Sequence, residues 1–221
     1  MASPPASGRS SPCLGSRSTA VVALDCEMVG TGPGGHCSEL ARCSILDYHG
    51  NVLYDKYVRP SQRVTDYRTP WSGISKHHLR DAMPFSQAQQ EILTILQGKV
   101  VVGHSIYNDF DALDVLHPGH MVRDIGASRH LSRLAGFPHK RCPSLKILAN
   151  KLLNRQIQVR LVLFFMRGHC SVEDAHAALD LYKLVEGEWE RELQDELQDD
   201  DASKHYMQDE YWPDHVITDI Q

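Results

Sequence analysis

The run Val21-Val22-Ala23-Leu24 ends in Asp25-Cys26-Glu27, and this junction constrains the chain more than any other stretch. β-Branched and apolar residues in series read as a buried strand, here continuing to about Val29. Side chains two apart on a strand share a face, so both carboxylates point the same way. Like charges that close repel, and burying either one is costly. A solvated strand end avoids that cost. A divalent cation removes it too, because Mg2+ and Mn2+ prefer hard oxygen ligands. Order is expected to begin at Ala20 or Val21. Residues 1–19 hold 6 Ser, 3 Pro and 2 Gly, the composition of a disordered tail.

The segments after this strand predict a mixed α/β fold. Gly30 to Gly35 is a turn-rich break. Leu40–Leu46 and Val52–Val58 read as two further strands with Gly50-Asn51 as a hairpin signal, an antiparallel three-stranded start. The period then changes. Ser86–Gln97 carries Ala88, Ile92, Ile95 and Leu96 at helical spacing, with Gly98 beyond it. Val100–Val102 reads as a short buried strand, Asn108–Leu116 as a helix stopped near Pro118, and Met121–Ile125 as another strand. Ser144 opens a helix to about Leu153, and Ser171 a long one with Val172, Ala175, Leu179, Tyr182, Val185 and Trp189 on one stripe. The expected fold class is α/β: a mixed β-sheet, its first three strands antiparallel, flanked by α-helices. The expected organisation is a tail over 1–19, one domain over 20–193 and an acidic tail over 194–221.

Charge separates along the same lines. The 221 residues carry 23 Lys+Arg and 28 Asp+Glu, a net −5 that on its face argues against a nucleic-acid binder. Split at Glu186, the sign divides. Residues 1–185 hold 21 basic and 15 acidic residues, a net +6, and the remainder 2 basic and 13 acidic, a net −11. The body is basic, and the acidity belongs to the end of the last helix and its tail. That tail is read as a solubilising segment, or as one competing with substrate phosphates for the basic body. Six scattered cysteines without a C-x-x-C pair give no zinc-ribbon spacing. No signal peptide is visible, and the longest later apolar run, Leu161 to Met166, is far short of the roughly 20 residues that span a bilayer. A reduced compartment, cytosol or nucleus, is expected, without membrane association.

Two further carboxylates stand at informative places. Asp109, in Gly103-His104-Ser105-Ile106-Tyr107-Asn108-Asp109-Phe110, follows a buried strand and falls in the first turn of a helix, where the dipole favours an acid in any case. In His169-Cys170-Ser171-Val172-Glu173-Asp174, Ser171 and Asp174 fit a helix cap with an acid three residues on. Capping explains Asp174 but not His169, which can take a proton near neutral pH.

Taken together and in this order, these residues resemble the DEDDh (ribonuclease T-like) exonuclease superfamily. Its pattern is D-x-E on the first strand, an Asp in a central helix, and H-x-x-x-x-D at a late helix. Ala23 to Gly30, Leu40-Ala41-Arg42-Cys43-Ser44, Asp66-Tyr67-Arg68-Thr69, Trp71-Ser72-Gly73-Ile74 and Ser171 to Ala175 narrow the resemblance to the interferon-stimulated 20 kDa exonuclease-like branch. It covers about residues 20–190. It implies a ribonuclease H-like fold and 3′→5′ hydrolysis of single-stranded RNA or DNA to nucleoside monophosphates. Two divalent cations, Mg2+ or Mn2+, about 3.5–4 Å apart would hold the attacking and leaving oxygens. Asp25 would bridge both ions, Glu27 and Asp174 hold the one that activates water, and Asp109 help hold the other. His169 would be the general base. By the same resemblance Met28 packs under the terminal nucleotide, Arg68 contacts the substrate backbone, and the protein is nuclear, nucleolar or nucleoplasmic, with the cytoplasm as a second location. The chain is expected to be a monomer whose partners are nucleic-acid 3′ ends. Tyr107 and Trp71 are candidates for base stacking or for the core.

Three departures accompany the resemblance. Gln158-Val159 is normally followed by a short polar, Gly-containing loop, whereas Leu161 to Met166 is apolar here. Ile125 replaces the usual Thr after Arg123-Asp124, and Pro70 interrupts the Arg68 segment. The apolar insert motivates a second reading, a catalytically weak nucleic-acid-binding protein that keeps the fold. A third is an interaction module acting through the acidic tail.

Overall fold

The apolar start of the chain becomes the hub of a sheet. The computed structural model describes residues 20–137, 142–158 and 169–209, with side chains to residue 196. Strand β1 (Val21–Thr31) is buried along most of its length. It pairs antiparallel with β2 (Cys37–Asp47), which pairs antiparallel with β3 (Val52–Arg59), so the predicted antiparallel start forms. The connecting turn is built by Asp47, whose carboxylate accepts from the backbone of His49 and Asn51, each at 2.8 Å. Gly50 sits there at φ 87°, a conformation that glycine tolerates best.

On its other edge β1 pairs parallel with β6 (Val100–Gly103), and β6 with β7 (Val122–Asp124). Short strands complete the sheet. β4 (Val64–Asp66) joins the far end of β1, and β5 (Met83–Pro84) joins β3. The order is β5-β3-β2-β1-β6-β7, a mixed sheet. The helices are α1 (Thr69–Ser72), α2 (Phe85–Leu96), α3 (Tyr107–Leu113), α4 (Arg129–Leu134), α5 (Leu145–Leu153) and α6 (Ser171–Asp209). Pro70 falls in the first turn of α1, where a missing N–H costs nothing. Ile125 is fully buried, and its N–H donates to the Gly103 carbonyl.

Val22, Leu24 and Cys26 join Ile45, Tyr54 and Val58 in a core closed by Ala88, Ile92 and Leu96 of α2 and by Phe110 and Leu113 of α3. Asp25 and Glu27 alternate to the other face of β1. The chain divides into two units, Met1–Tyr182 and Lys183–Gln221. In the first, α6 buries Ala175, Leu179 and Tyr182 of its predicted stripe and Ala178 beside them, while Val172 is half-buried. The second carries α6 on to Asp209. The apolar insert Leu161 to Met166, residues 1–19 and the end of the acidic tail lie outside the described residues. No helix among the described residues is long and apolar enough to cross a membrane.

Candidate active site

The site forms where the sheet parts. β6 follows β1 only as far as the pair Ala23–Val102, and β4 joins β1 only from Gly30 onward. Between them one edge of β1 has no strand among the described residues. The side chain of Asp109 takes the place of one, its Oδ1 accepting the Cys26 backbone N–H at 2.8 Å. Capping is therefore not what holds Asp109. It is 5% exposed, on the first turn of α3, immediately after the parallel strand β6. Ligand sites of open α/β sheets lie at such strand ends.

The turn that delivers α3 is itself fixed. A Cβ on Gly103 would stand 2.8 Å from Ile106 Cδ1 and 3.0 Å from the Leu24 carbonyl oxygen, so glycine is required for this approach. Ser105 adopts φ 53° and donates its N–H to Asp124 Oδ1 at 2.8 Å, and Gly126 donates to the same oxygen at 2.9 Å. Asp124 thus organises the turn, a role that no local sequence pattern announces.

Glu27 lies next to a β-bulge. The β1–β2 register shifts between Glu27 and Met28, which re-aims the strand at the site. Met28 is half-buried and packs against the main core. Across the ladder Glu27 faces Arg42. The Arg42 guanidinium, however, is engaged by Asp55 in two bonds of 2.8 and 2.9 Å. Glu27 is 6% exposed, and its Oε1 is buried with no hydrogen-bond partner among the described residues.

The late helix supplies the remaining groups. Asp174 is 2% exposed. Its Oδ2 accepts from Gln158 Nε2 at 2.9 Å, while Oδ1 is buried without a partner among the described residues. Ser171, expected as a cap, instead lies inside the first turn of α6, and its hydroxyl meets that of Ser44 on β2 at 2.7 Å. That bond pins the start of α6 to the sheet. His169 Nδ1 is 3.6 Å from Asp174 Oδ2, and its side chain is 37% exposed. Its backbone N–H donates to the Trp71 carbonyl at 2.7 Å, so α1 holds the histidine's backbone in place. The Trp71 and Tyr107 side chains are 63% and 58% exposed, which removes them from the core.

Arg68 lies near the same end of β1. At φ 49° it precedes α1 and donates to Ser38 Oγ at 2.7 Å and to the Gly35 carbonyl at 2.9 Å. These bonds brace the turn after β1 and leave three of its five N–H donors for other acceptors.

The electrostatics follow from packing four carboxylates together. Burial, then Asp109, Asp174 and Glu27, push Asp25 well above the usual carboxylate range, although part of it reaches the surface. Burial pushes Glu27 up to about 9, Asp174 adding to the rise. Asp109 is raised by burial to about 7 against the Cys26 hydrogen bond. Burial raises Asp174 to about 6 against the bond from Gln158. Each carboxylate is thus costly to ionise where it stands. Among the described residues no group of three or more His, Cys, Asp or Glu is already arranged to hold a metal ion. The donor set nevertheless suits a hard divalent cation. All its atoms are carboxylate oxygens, two of them buried and unpartnered among the described residues, and a cation would favour the ionised forms that burial, and at Asp25 and Glu27 also the neighbouring carboxylates, disfavour.

Known proteins match this arrangement. The exonuclease family RNase_T matches residues 22–182. The human apoptosis-enhancing nuclease is 50% identical over 219 residues, which cover 95% of this chain and 65% of that protein. The human interferon-stimulated 20 kDa exonuclease-like 2 is 56% identical over 173 residues, 78% of this chain and 48% of that protein. The chain thus spans less than two thirds of the length of these relatives. Among solved structures, the Saccharomyces cerevisiae Pan2 pseudoubiquitin hydrolase–RNA exonuclease module in complex with A7 RNA aligns with a TM-score of 0.63 and 27% identity. That alignment covers 88% of this chain and 33% of the Pan2 chain. The match over 22–182 takes in β1, α3 and the start of α6, the three elements that carry the clustered carboxylates, and on that ground the chain belongs to the RNase_T exonuclease family.

Proposed function

We propose that this protein is a metal-dependent 3′→5′ exonuclease that degrades single-stranded RNA, DNA or both to nucleoside monophosphates. The observation that carries this reading is the set of carboxylates Asp25, Glu27, Asp109 and Asp174, with orphaned buried oxygens on Glu27 and Asp174 and His169 beside Asp174. The similarity to the interferon-stimulated 20 kDa exonuclease-like 2 protein and to the Pan2 module in complex with A7 RNA supports it.

The four carboxylates would hold two divalent cations, Mg2+ or Mn2+. Bound there, the ions supply charge neutralisation at the scissile phosphate and a water of lowered pKa. The chain's own groups do the rest. His169, partly exposed, accepts the proton of the attacking water at its imidazole. The Trp71 carbonyl and Asp174 orient that histidine, and Gln158 fixes the Asp174 oxygen nearest to it. Met28, set beyond the bulge, underlies the terminal nucleotide. Arg68 offers its remaining N–H donors to a substrate phosphate. The exposed Trp71 and Tyr107 rings offer faces on which bases can stack. The protein acts as a monomer, and a nuclear location follows from the family resemblance.

The test uses 5′-labelled single-stranded RNA and DNA, with Mg2+ or Mn2+ and with EDTA. Stepwise shortening from the 3′ end, abolished by EDTA and by Asp109→Asn, is expected. Binding without shortening would overturn the proposal in favour of a catalytically weak binder. Absence of binding would favour an interaction module.

A further inference from the structure

We propose that a basic groove beside β4 is a second nucleic-acid contact. It holds backbone phosphates of the single strand upstream of the nucleotide at the carboxylates. The groove measures about 640 Å3, and Arg59, Arg63, Lys76 and Arg80 line it together with Tyr67 and Leu79. No carboxylate lines it. Among the described residues no ion pair or side-chain hydrogen bond engages any of the four cations. By contrast, Lys56 pairs with Glu91, and Arg155 with Asp180. Four unmatched like charges around one concavity repel one another, and an anion that fills it removes that cost.

The groove is built rather than incidental. Ile74, Leu79 and Ala82 bury the apolar side of the segment 74–82 against Val29 and Ala41, which leaves Lys76 and Arg80 outward. On the opposite wall, Glu39 Oε2 accepts from the backbone of Ser61 at 2.7 Å and Gln62 at 3.2 Å, and Oε1 accepts from Thr31 at 2.7 Å. That carboxylate is directed at the backbone of the loop between Arg59 and Arg63, not at their guanidinium groups. Tyr67 packs on the same apolar cluster and gives the wall a ring surface for a base or sugar.

Position assigns the ligand. Val64, which lines the groove, pairs with Thr31, four residues past Glu27 on β1. At about 3.3 Å per residue the groove begins roughly 13 Å from the carboxylates along one strand. Arg68, next to Tyr67, donates to Gly35 and Ser38 at the turn that follows β1. A strand whose 3′ end reaches the carboxylates continues within a few nucleotides into a concavity of arginine and lysine. Those side chains read phosphate and not base.

This inference rests on the exonuclease reading, and the test separates the two. Binding of labelled 20-nucleotide single-stranded RNA and DNA is measured in EDTA over a salt series, for the wild type and for Arg63→Ala/Lys76→Ala/Arg80→Ala. Turnover of a trinucleotide with Mn2+ is measured beside it. The triple variant is expected to bind both 20-mers at least tenfold more weakly at low salt. Its slope of log affinity against log salt should be smaller by about 2, near 0.7 for each lost phosphate contact. Trinucleotide turnover stays within twofold, and Arg63→Lys/Arg80→Lys keeps the slope. An unchanged slope, an equal loss on the trinucleotide, or a loss confined to RNA would overturn the inference. So would weaker binding of polyglutamate alone, which would mark a site for an acidic protein segment. Shortening with an unchanged slope defeats the groove and keeps the exonuclease. Weaker binding in the variant of a protein that shortens nothing defeats the exonuclease and keeps the groove.

Discussion

Replacing Glu27 by Gln should stabilise the metal-free protein while removing its activity, and the stabilisation should depend on pH. Glu27 is 6% exposed, with Oε1 unpartnered. Burial raises its carboxyl from 4.5 to about 9. The folded protein therefore keeps a proton that the unfolded chain releases, and folding weakens as pH rises from about 4.5 towards 9. Each pKa unit corresponds to about 1.4 kcal/mol. By about pH 8 the wild type has lost about 5 kcal/mol relative to its protonated form. Gln carries no such loss, but its buried amide costs about 1–3 kcal/mol. The net gain is about 2–4 kcal/mol, which in a chain of this size raises Tm by roughly 5–15 °C. Near pH 5 the wild type is largely protonated and the advantage disappears. Thermal melts in EDTA at the two pH values measure this. Added Mn2+ should reverse the order by stabilising the wild type alone. An equal Tm difference at both pH values, or a less stable variant near pH 8, would refute the reasoning.

Two other substitutions separate structural from chemical roles. Asp109→Ala strands the buried Cys26 N–H and should cost about 1–3 kcal/mol in denaturant melts. Asp109→Asn keeps an acceptor there and should fold like the wild type while losing nuclease activity. His169→Ala should lower kcat about 10²–10⁴-fold, with single-stranded RNA affinity in EDTA within twofold of wild type. Loss of affinity in step with kcat would assign His169 to binding instead.

The sequence shows the carboxylates more clearly than the contacts that place them. Asp25 and Glu27 are legible because strand alternation puts two acids on one face of an apolar strand, an arrangement that a solvated end or an ion must justify. Asp109 and Asp174 are legible as acids at helix starts, where capping is an equally good local reading. Only the tertiary structure shows Asp109 on the Cys26 N–H and the Ser171 hydroxyl on Ser44, because both bonds join residues far apart in the chain. The Trp71–His169 backbone contact and the Gln158–Asp174 bond are hidden for the same reason. The longer strands and helices follow from period and turn residues to within a few positions. β4 and β5, with 3 and 2 residues, are too short to show a period. The α4 segment, 6 residues long, is held by its Ser128 cap rather than by a long apolar stripe. The basic groove is invisible locally, because Arg59 and Arg63 come from one side of β4 in the chain, and Lys76 and Arg80 from beyond α1.

The central claim, that these four carboxylates are a cation site, is tested most directly by calorimetric titration with Mn2+ near pH 7 in buffers of different ionisation enthalpy. Glu27, at about 9, holds a proton at that pH and Asp109, at about 7, holds about half of one. Ligation must expel these protons. Binding with release of about one proton or more per chain is expected, lost in Asp109→Asn/Glu27→Gln. Binding of Mn2+ without proton release, or unchanged in that double variant, would contradict the central claim.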